Sequence, residues 1–184
     1  LTNPLFQSNG FENPKITSVT GKIEDLTGIE AFVNLTNLQL GNAALTSLDI
    51  SNNLLLEQLF LNDNRLKSID VSNNTGLKRL GVMRNPELPE IDVRNISGLE
   101  ELYIDETAIT SIDLSANINL WRIYARWSNV TGLDLSNNVN LTDVRVRGSN
   151  NFFYLNIRNG NNINISGFDV RDMNNLSCII SNSL

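Results

Sequence analysis

A repeat of about 21 residues runs through most of the sequence and constrains its fold more than any other feature. The leucines that open successive units are spaced by 21, 21, 22, 21 and 21 residues; they are Leu35, Leu56, Leu77, Leu99, Leu120 and Leu141. A second series consists of Asp49, Asp70, Asp92, Asp113 and Asp134, followed by Asn156 and Asp169. Self-similarity with a period of about 20 to 50 residues indicates a repeat architecture. Because two series agree, we predict a solenoid of about seven coils.

Each unit contains two segments that predict short extended structure. The first reads Leu-x-x-Leu-x-Leu, and a Leu/Ile-Asp-Leu/Val/Ile-Ser segment follows about ten residues later; both alternate with period two. The apolar side chains of one coil cannot be buried alone, so the coils should stack around one continuous core. Asn64 and Asn85 follow the first strand of their coils and should form a buried amide ladder. That ladder should be partial, because other residues occupy the position elsewhere: Ala43, Thr107, Ser128 and Ser149.

This pattern resembles the leucine-rich repeat in its short, 21-residue variety. Residues 45–53, Leu-Thr-Ser-Leu-Asp-Ile-Ser-Asn-Asn, carry the motif nearly whole. Residues 25–32 and 156–179 resemble the first and last repeats of secreted or surface leucine-rich-repeat proteins of Bacteroidetes-type bacteria. The resemblance implies a β-rich, right-handed coil or horseshoe with little helix. It implies a parallel sheet on the concave face, short extended segments on the opposite side, and a secreted or cell-surface location.

The expected organisation is an N-terminal cap at residues 1–22 and a repeat array at 23–184. The cap should cover the open edge of the first coil. Asn156 and Asp169 are only 13 residues apart, so the last coils should be shortened, with a tight turn at 159–162 and a C-terminal cap at 168–184. The lone Cys178 should pack inside the last coil. The first ten residues have neither the charged start nor the apolar run of a signal peptide, so we expect signal and anchoring segments to be absent from this chain.

The outward side chains of the first strands form the candidate binding surface. On stacked strands these side chains lie about 4.8 Å from their neighbours, so each position can be read as a column. Six of the ten arginines fall in these columns, and Tyr103, Tyr124 and Trp127 cluster on two consecutive coils. Exposed Trp, Tyr and Arg dominate binding energy at interfaces. The residues that we predict to bind a ligand are Phe60, Arg84, Tyr103, Arg122, Tyr124, Arg126, Trp127, Arg145 and Arg147.

A structural role is the alternative for part of this surface. One column alternates in charge along the stack: Arg79, Glu101, Arg122 and Asp143. Opposite charges on adjacent strands favour pairing, which would make this column purely structural. Aromatic residues are also good strand formers on an exposed sheet, so sheet propensity alone could account for the aromatic cluster.

The composition argues against catalysis and against nucleic acid as a partner. With no histidine and one cysteine, Ser-His-Asp and Cys-His arrangements are impossible. No glycine-rich phosphate loop occurs, and the carboxylates of residues 100–106 lie on an open sheet without a desolvating pocket. The net charge of −6 disfavours phosphate binding, and no apolar run could span a membrane. We expect no enzyme activity, no cofactor and no membrane insertion.

The aspartate series should hold no metal. Calcium needs six to eight oxygens that converge on one point, and a straight row of carboxylates does not converge. Each aspartate should instead accept backbone N–H bonds within its own turn. The sequence leaves a minor possibility of calcium in this column.

The predicted function is non-catalytic recognition. The chain should be an adhesin-like binding module that recognises a protein or glycan on a cell surface through the concave sheet, as a monomer or weak dimer. The alternative is a passive structural spacer within a larger cell-surface protein.

Overall fold

The computed structural model describes residues 15–17 and 23–181, and the repeat forms a parallel β-solenoid of about seven turns with almost no helix. An eight-stranded parallel sheet has the order β1-β2-β3-β4-β5-β6-β8-β10. Its strands are β1 (Lys15–Thr17), β2 (Asn37–Gln39), β3 (Gln58–Phe60), β4 (Arg79–Gly81), β5 (Glu101–Tyr103), β6 (Arg122–Tyr124), β8 (Asp143–Arg145) and β10 (Gly167–Asp169). The predicted solenoid and its parallel sheet are confirmed.

A second, three-stranded sheet lies among the C-terminal coils. It has the order β11-β9-β7, with β7 (Gly132–Asp134), β9 (Tyr154–Asn156) and β11 (Cys178–Ile180). Two short 3₁₀ helices cover Ile29–Ala31 and Asn162–Asn164. No helix among the described residues is long and apolar enough to cross a membrane.

One apolar core runs through the stacked coils, as the alternation predicts. The middle residue of each strand from β2 to β8 in the large sheet is fully buried, and the unit-opening leucines are buried with them. Leu59 on β3, for example, stacks in register between Leu38 and Leu80. Burial of a leucine contributes about 1.5 to 3 kcal/mol, so the inward columns hold the coils together.

The predicted amide ladder at Asn64 and Asn85 is present. The Asn85 side chain accepts the Leu66 N–H at 3.0 Å and donates to the Leu61 and Val82 carbonyls at 2.9 Å. Asn64 repeats this arrangement one coil earlier. The ladder is partial, because Thr107 and Ser128 donate to a carbonyl within their own coil and Ser149 to one in the coil before. The tie between coils is therefore weaker at Thr107 and Ser128.

A second buried asparagine column was not predicted. It consists of Asn53, Asn74, Asn117, Asn138 and Asn159, with Ile96 at the intervening position. The Asn74 side chain donates to the Ile50 and Asn53 carbonyls of the preceding coil at 3.1 and 2.9 Å. This column satisfies backbone acceptors where the chain turns after the aspartate segment.

The prediction of shortened last coils is wrong. Phe168 on β10 pairs in register with Val144 on β8, a step of 24 residues, so this coil is longer than its neighbours. Asp169 accordingly lies on the large sheet opposite Arg145 and does not continue the aspartate series. The extra residues are accommodated around the 3₁₀ helix Asn162–Asn164. The sequence misled because a similar Asp occurs on a different strand of the coil.

The last coil leaves part of its apolar surface exposed. Phe168 and Ile179 occupy inward-type positions on β10 and β11, yet they are 43% and 46% exposed. Each lies on the last strand of its sheet in the described part of the chain. Cys178 is also exposed, so the expectation that it packs inside the last coil is wrong. Of the cap at 1–22, only residues 15–17 fall within the described residues, where they form β1. The domain boundaries remain predictions.

Candidate functional site

The outward columns of the large sheet form a single surface. We call it the sheet face and define it as the first and third residues of each strand from β2 to β10 and the second and third residues after each strand. Strand register places Tyr103 beside Tyr124, and Tyr124 beside Arg145. Phe60 lies beside Gly81, which lies beside Tyr103. The columns that were read from the sequence are therefore the columns of the structure.

Two aromatic rings lie over glycines in the next coil. A Cβ atom on Gly81 would come within 2.5 Å of the Phe60 ring, and one on Gly148 would overlap the Trp127 indole. Since only glycine leaves this space, both rings can lean along the stack. The Phe60 ring consequently reaches Tyr103, with 6.0 Å between the ring centroids.

Tyr124 is the centre of a ring and guanidinium cluster. The Tyr103 and Tyr124 rings meet edge to face, with centroids 5.2 Å apart. The guanidinium carbons of Arg126 and Arg145 lie 5.0 and 4.9 Å from the Tyr124 centroid, and that of Arg122 lies at 5.4 Å. These distances are within the range of cation–π attraction, so the cluster holds each side chain in a defined position.

Trp127 projects from the corner that follows β6. Its backbone φ is 50°, and the same position has positive φ in every coil, at Asn42, Asp63, Arg84, Glu106, Trp127, Gly148 and Asp172. A non-glycine residue in this left-handed conformation costs roughly 1 kcal/mol, which the stacked coils must offset. The Trp127 side chain is 47% exposed, and the Arg147 guanidinium lies 4.7 Å from its ring centroid. Trp127 is the most open aromatic side chain on the described sheet face.

Two buried carboxylates tie the cluster together. Glu101 contacts Arg79 at 3.0 Å and Arg122 at 3.4 Å, and it accepts a hydrogen bond from the Tyr103 hydroxyl. Asp143 accepts from the Tyr124 hydroxyl at 2.7 Å, from Arg122 at 3.1 Å and from Arg145 at 2.9 Å. The alternating charges of this column pair across strands, as the structural alternative predicted.

A third carboxylate holds Arg126. Asp105 is buried and accepts the Arg126 backbone N–H at 2.7 Å. It also accepts from Nε and Nη2 of the same residue, at 3.1 and 2.6 Å. Such a two-pronged, charge-assisted contact fixes the plane of the guanidinium. The sequence analysis missed this pair, although reading the column across coils places Asp105 directly before Arg126.

The titration properties follow from these contacts. Burial raises the pKa of the Tyr103 and Tyr124 hydroxyls above the usual value, and their hydrogen bonds to carboxylates add to the effect. Burial also acts to raise the pKa of Asp143, but hydrogen bonds from Arg145 and Tyr124 outweigh it, so this pKa is lowered. The tyrosines therefore remain neutral and Asp143 remains ionised near neutral pH.

The sheet face carries as many carboxylates as arginines. The arginines are Arg79, Arg84, Arg122, Arg126, Arg145, Arg147 and Arg171. The carboxylates are Asp63, Glu101, Asp105, Glu106, Asp143, Asp169 and Asp172. The arginine-rich surface noted in the sequence is thus formally neutral, and its arginines act mainly as oriented planar groups.

The structure brings most of the predicted site residues together. The connected set is Tyr103, Arg122, Tyr124, Arg126, Trp127, Arg145 and Arg147, through the ring and guanidinium contacts above. Phe60 joins at the edge through Tyr103. Arg84 instead pairs with Asp63 in the preceding coil, away from the cluster. Trp121, which the sequence analysis did not select, lies 4.3 Å from the Arg122 guanidinium.

The aspartate series on the opposite side forms turns, as expected. Asp49, Asp70, Asp113 and Asp134 each accept the backbone N–H of the serine two residues later, at 2.8 to 3.0 Å. Asp92 accepts from Arg94, and the side-chain bonds of Arg94 lower the pKa of Asp92 to about 2. Within the described residues, no three Cys, Asp or Glu side chains converge as a metal site would require.

Solved structures of bacterial leucine-rich-repeat proteins share this fold. Internalin C2 from Listeria monocytogenes has a TM-score of 0.62 at 20% identity, over 88% of this chain and 77% of that one. The protein LIC12759 from Leptospira interrogans has a TM-score of 0.59 at 16% identity, over 89% of this chain and 56% of that one. The functional domain of InlJ from Listeria monocytogenes is 25% identical, and the match covers 75% of this chain and 42% of that one, with a TM-score of 0.36.

These likenesses show the leucine-rich-repeat fold of the chain. The chain spans less than two thirds of the LIC12759 and InlJ structures. No protein-family profile matches the sequence, and no curated protein matches it.

Proposed function

We propose that this chain is a non-catalytic recognition module that binds a protein partner through the sheet face of β5, β6 and β8. One observation carries the proposal. Trp127 stands open to solvent at the edge of a cluster in which Tyr103, Tyr124 and Arg126 are each held by a buried carboxylate or a ring contact. Trp, Tyr and Arg are the residues enriched among those that dominate interface energies.

The rigidity of the cluster supports binding. Side chains that are already fixed lose little conformational freedom when a partner docks, so more of the contact energy appears as affinity. The phenol hydroxyls of Tyr103 and Tyr124 are already engaged with Glu101 and Asp143. A partner would therefore contact ring surfaces and the Trp127 indole more than these hydroxyls.

The setting belongs to the same proposal. We place the module outside a bacterial cell, secreted or at its surface, because the repeat resembles proteins of that setting and the fold matches internalins. An adhesin role, a monomeric or weakly dimeric state, and the absence of nucleic acid, cofactors and metal are further parts of the proposal. A formally neutral face gives phosphate groups little net attraction.

The test is a binding screen of the purified chain against intact bacterial and algal surfaces, their extracted proteins and a glycan array. Trp127→Ala removes the open ring without touching the carboxylate network. It should weaken binding of a protein partner at least about tenfold, as expected for a dominant interface residue. Phe153→Ala, on the other side of the solenoid and 52% exposed, is the matched control and should bind normally.

Other outcomes assign a different role. Binding to glycans alone, lost in Trp127→Ala, would make the ligand a carbohydrate. Equal binding by both variants would contradict the site. Failure of the unmodified chain to bind any surface, protein or glycan would favour the passive spacer.

A further inference from the structure

Arg147 differs from its neighbours on the sheet face in what neutralises it. Arg126 and Arg145 each place two guanidinium nitrogens on one carboxylate, at 3.4 Å or less. Arg147 reaches one carboxylate, that of Asp172, at 3.9 Å, and the Asp172 side chain is 69% exposed. An exposed pair at this distance compensates little of the charge.

The reason lies in the order of residues along the column. Arg84 pairs with Asp63 in the preceding coil, and Arg126 pairs with Asp105 in the preceding coil. The residue that precedes Arg147 by one coil is Arg126, so the carboxylate that serves the other arginines is replaced by a second cation. The column thus leaves one arginine short of a partner.

The Arg147 guanidinium is also only partly satisfied in hydrogen bonding. Its Nε is buried and has no hydrogen-bond partner among the described residues. The guanidinium carbon lies 4.7 Å from the Trp127 ring centroid, and the side chain as a whole is 31% exposed. Contact with the indole orients the group without using its N–H donors.

We propose that Arg147 and Trp127 form a carboxylate-binding position, and that the partner presents an acidic peptide segment there. This inference rests on the proposed function, since it assigns chemistry to the same face. The planar fork of Arg147 matches a carboxylate, and the Trp127 ring holds the fork in place. Arg126 and Arg171 flank Arg147 in its column and add positive potential. An Asp or Glu side chain of the partner would supply the missing counter-charge.

The probe for this position is a hepta-glutamate peptide, with hepta-glutamine as the uncharged match. Each is titrated into the isotopically labelled chain while NMR follows the arginine Nε–H and indole N–H signals. Hepta-glutamate should shift the Arg147 and Trp127 signals to saturation, and hepta-glutamine should not. Arg147→Gln should weaken the hepta-glutamate interaction at least about tenfold, since it removes both fork and charge. Arg147→Lys, which retains the charge, should give an intermediate loss.

Arg94→Gln provides the control, because it removes one positive charge from the opposite side of the solenoid. It should leave the hepta-glutamate affinity within about twofold, since the two sites are well separated. Unchanged backbone signals elsewhere in Arg147→Gln would show that the variant is folded.

Three results would overturn the proposal: no saturable shift with hepta-glutamate, equal affinity in Arg147→Gln, or an equal loss in Arg94→Gln. Saturable binding of oligogalacturonate without binding of hepta-glutamate would overturn the assignment to a peptide. These failures are separable from failure of the proposed function. If Trp127→Ala still abolishes partner binding, the sheet face stands and only the carboxylate position falls.

Discussion

The coils of β3 and β4 and the coils of β6 and β8 share one repeat, but different interactions link them. In the first region, buried Asn64 and Asn85 bond the backbone of the preceding coil. In the second region, Ser128 bonds only its own coil and its neighbour Ser149. Arginine–carboxylate contacts and a second sheet take over the linking there.

This difference shows where the repeat is free to vary. The period fixes the apolar columns, whereas the polar links between coils can lie inside the solenoid or on its surface. Where they lie on the surface, the same side chains form a rigid patch of rings and guanidinium groups. In the β6 and β8 region, one set of contacts therefore serves both stability and the proposed binding.

The largest expected effect is on the interior amide. Asn85→Ala leaves the Leu66 N–H and the Leu61 carbonyl without their partner in the interior. Because an unsatisfied buried group costs about 1–3 kcal/mol, we expect a loss of about 3 kcal/mol in the free energy of unfolding. Ser128→Ala removes one hydrogen bond and should cost about 1 kcal/mol. Urea denaturation of both variants measures the difference, and equal losses would remove the distinction between the regions.

The next effect concerns the glycines under the aromatic rings. Gly148→Ala forces a Cβ into the Trp127 indole at a backbone φ of 74°, so strain and steric overlap act together. We expect a loss of about 2 kcal/mol and a changed tryptophan fluorescence spectrum, since the indole must move. Gly81→Ala meets only the Phe60 ring at a negative φ and should cost about 1 kcal/mol. A Gly148→Ala protein with unaltered stability and fluorescence would show that the ring is not seated there.

A smaller effect tests the surface links. Tyr124→Phe removes the hydroxyl that donates to Asp143 but keeps the ring. Because the pair is only partly buried, we expect a loss of about 1 kcal/mol in unfolding free energy. Partner affinity should stay within about threefold, since ring contacts dominate the proposed interface. A large loss of affinity with unchanged stability would mean that the hydroxyl itself contacts the partner.

The smallest effect is on the pH dependence of stability. The folded pKa of Asp143 lies below its unfolded value of about 3.9, so the ionised form stabilises the folded state above that pH. That contribution should fade as the pH falls from about 4 through the folded pKa. Asp143→Asn should flatten this part of the stability curve between about pH 4 and 2 in urea denaturation. An unchanged acid slope in the variant would contradict the assignment.

The core and the columns could be predicted from the sequence because both follow directly from the period. The Asn64 ladder, the alternating ion pairs and the aspartate turns also follow, since each depends on one residue type at a fixed register. The 24-residue step to β10 could not be predicted, because Asp169 imitates the aspartate series from another strand. The short supply of partners for Arg147 appears only when whole columns are compared with measured contacts.

The most direct test of the account is hydroxyl-radical footprinting of the chain with and without the partner found in the binding screen. The account predicts that Trp127 and Tyr124 become protected in the complex. Tyr154, on the second sheet, should react at the same rate in both states. Protection of Tyr154 with unchanged reactivity at Trp127 would place the partner on the opposite side of the solenoid and contradict the central claim.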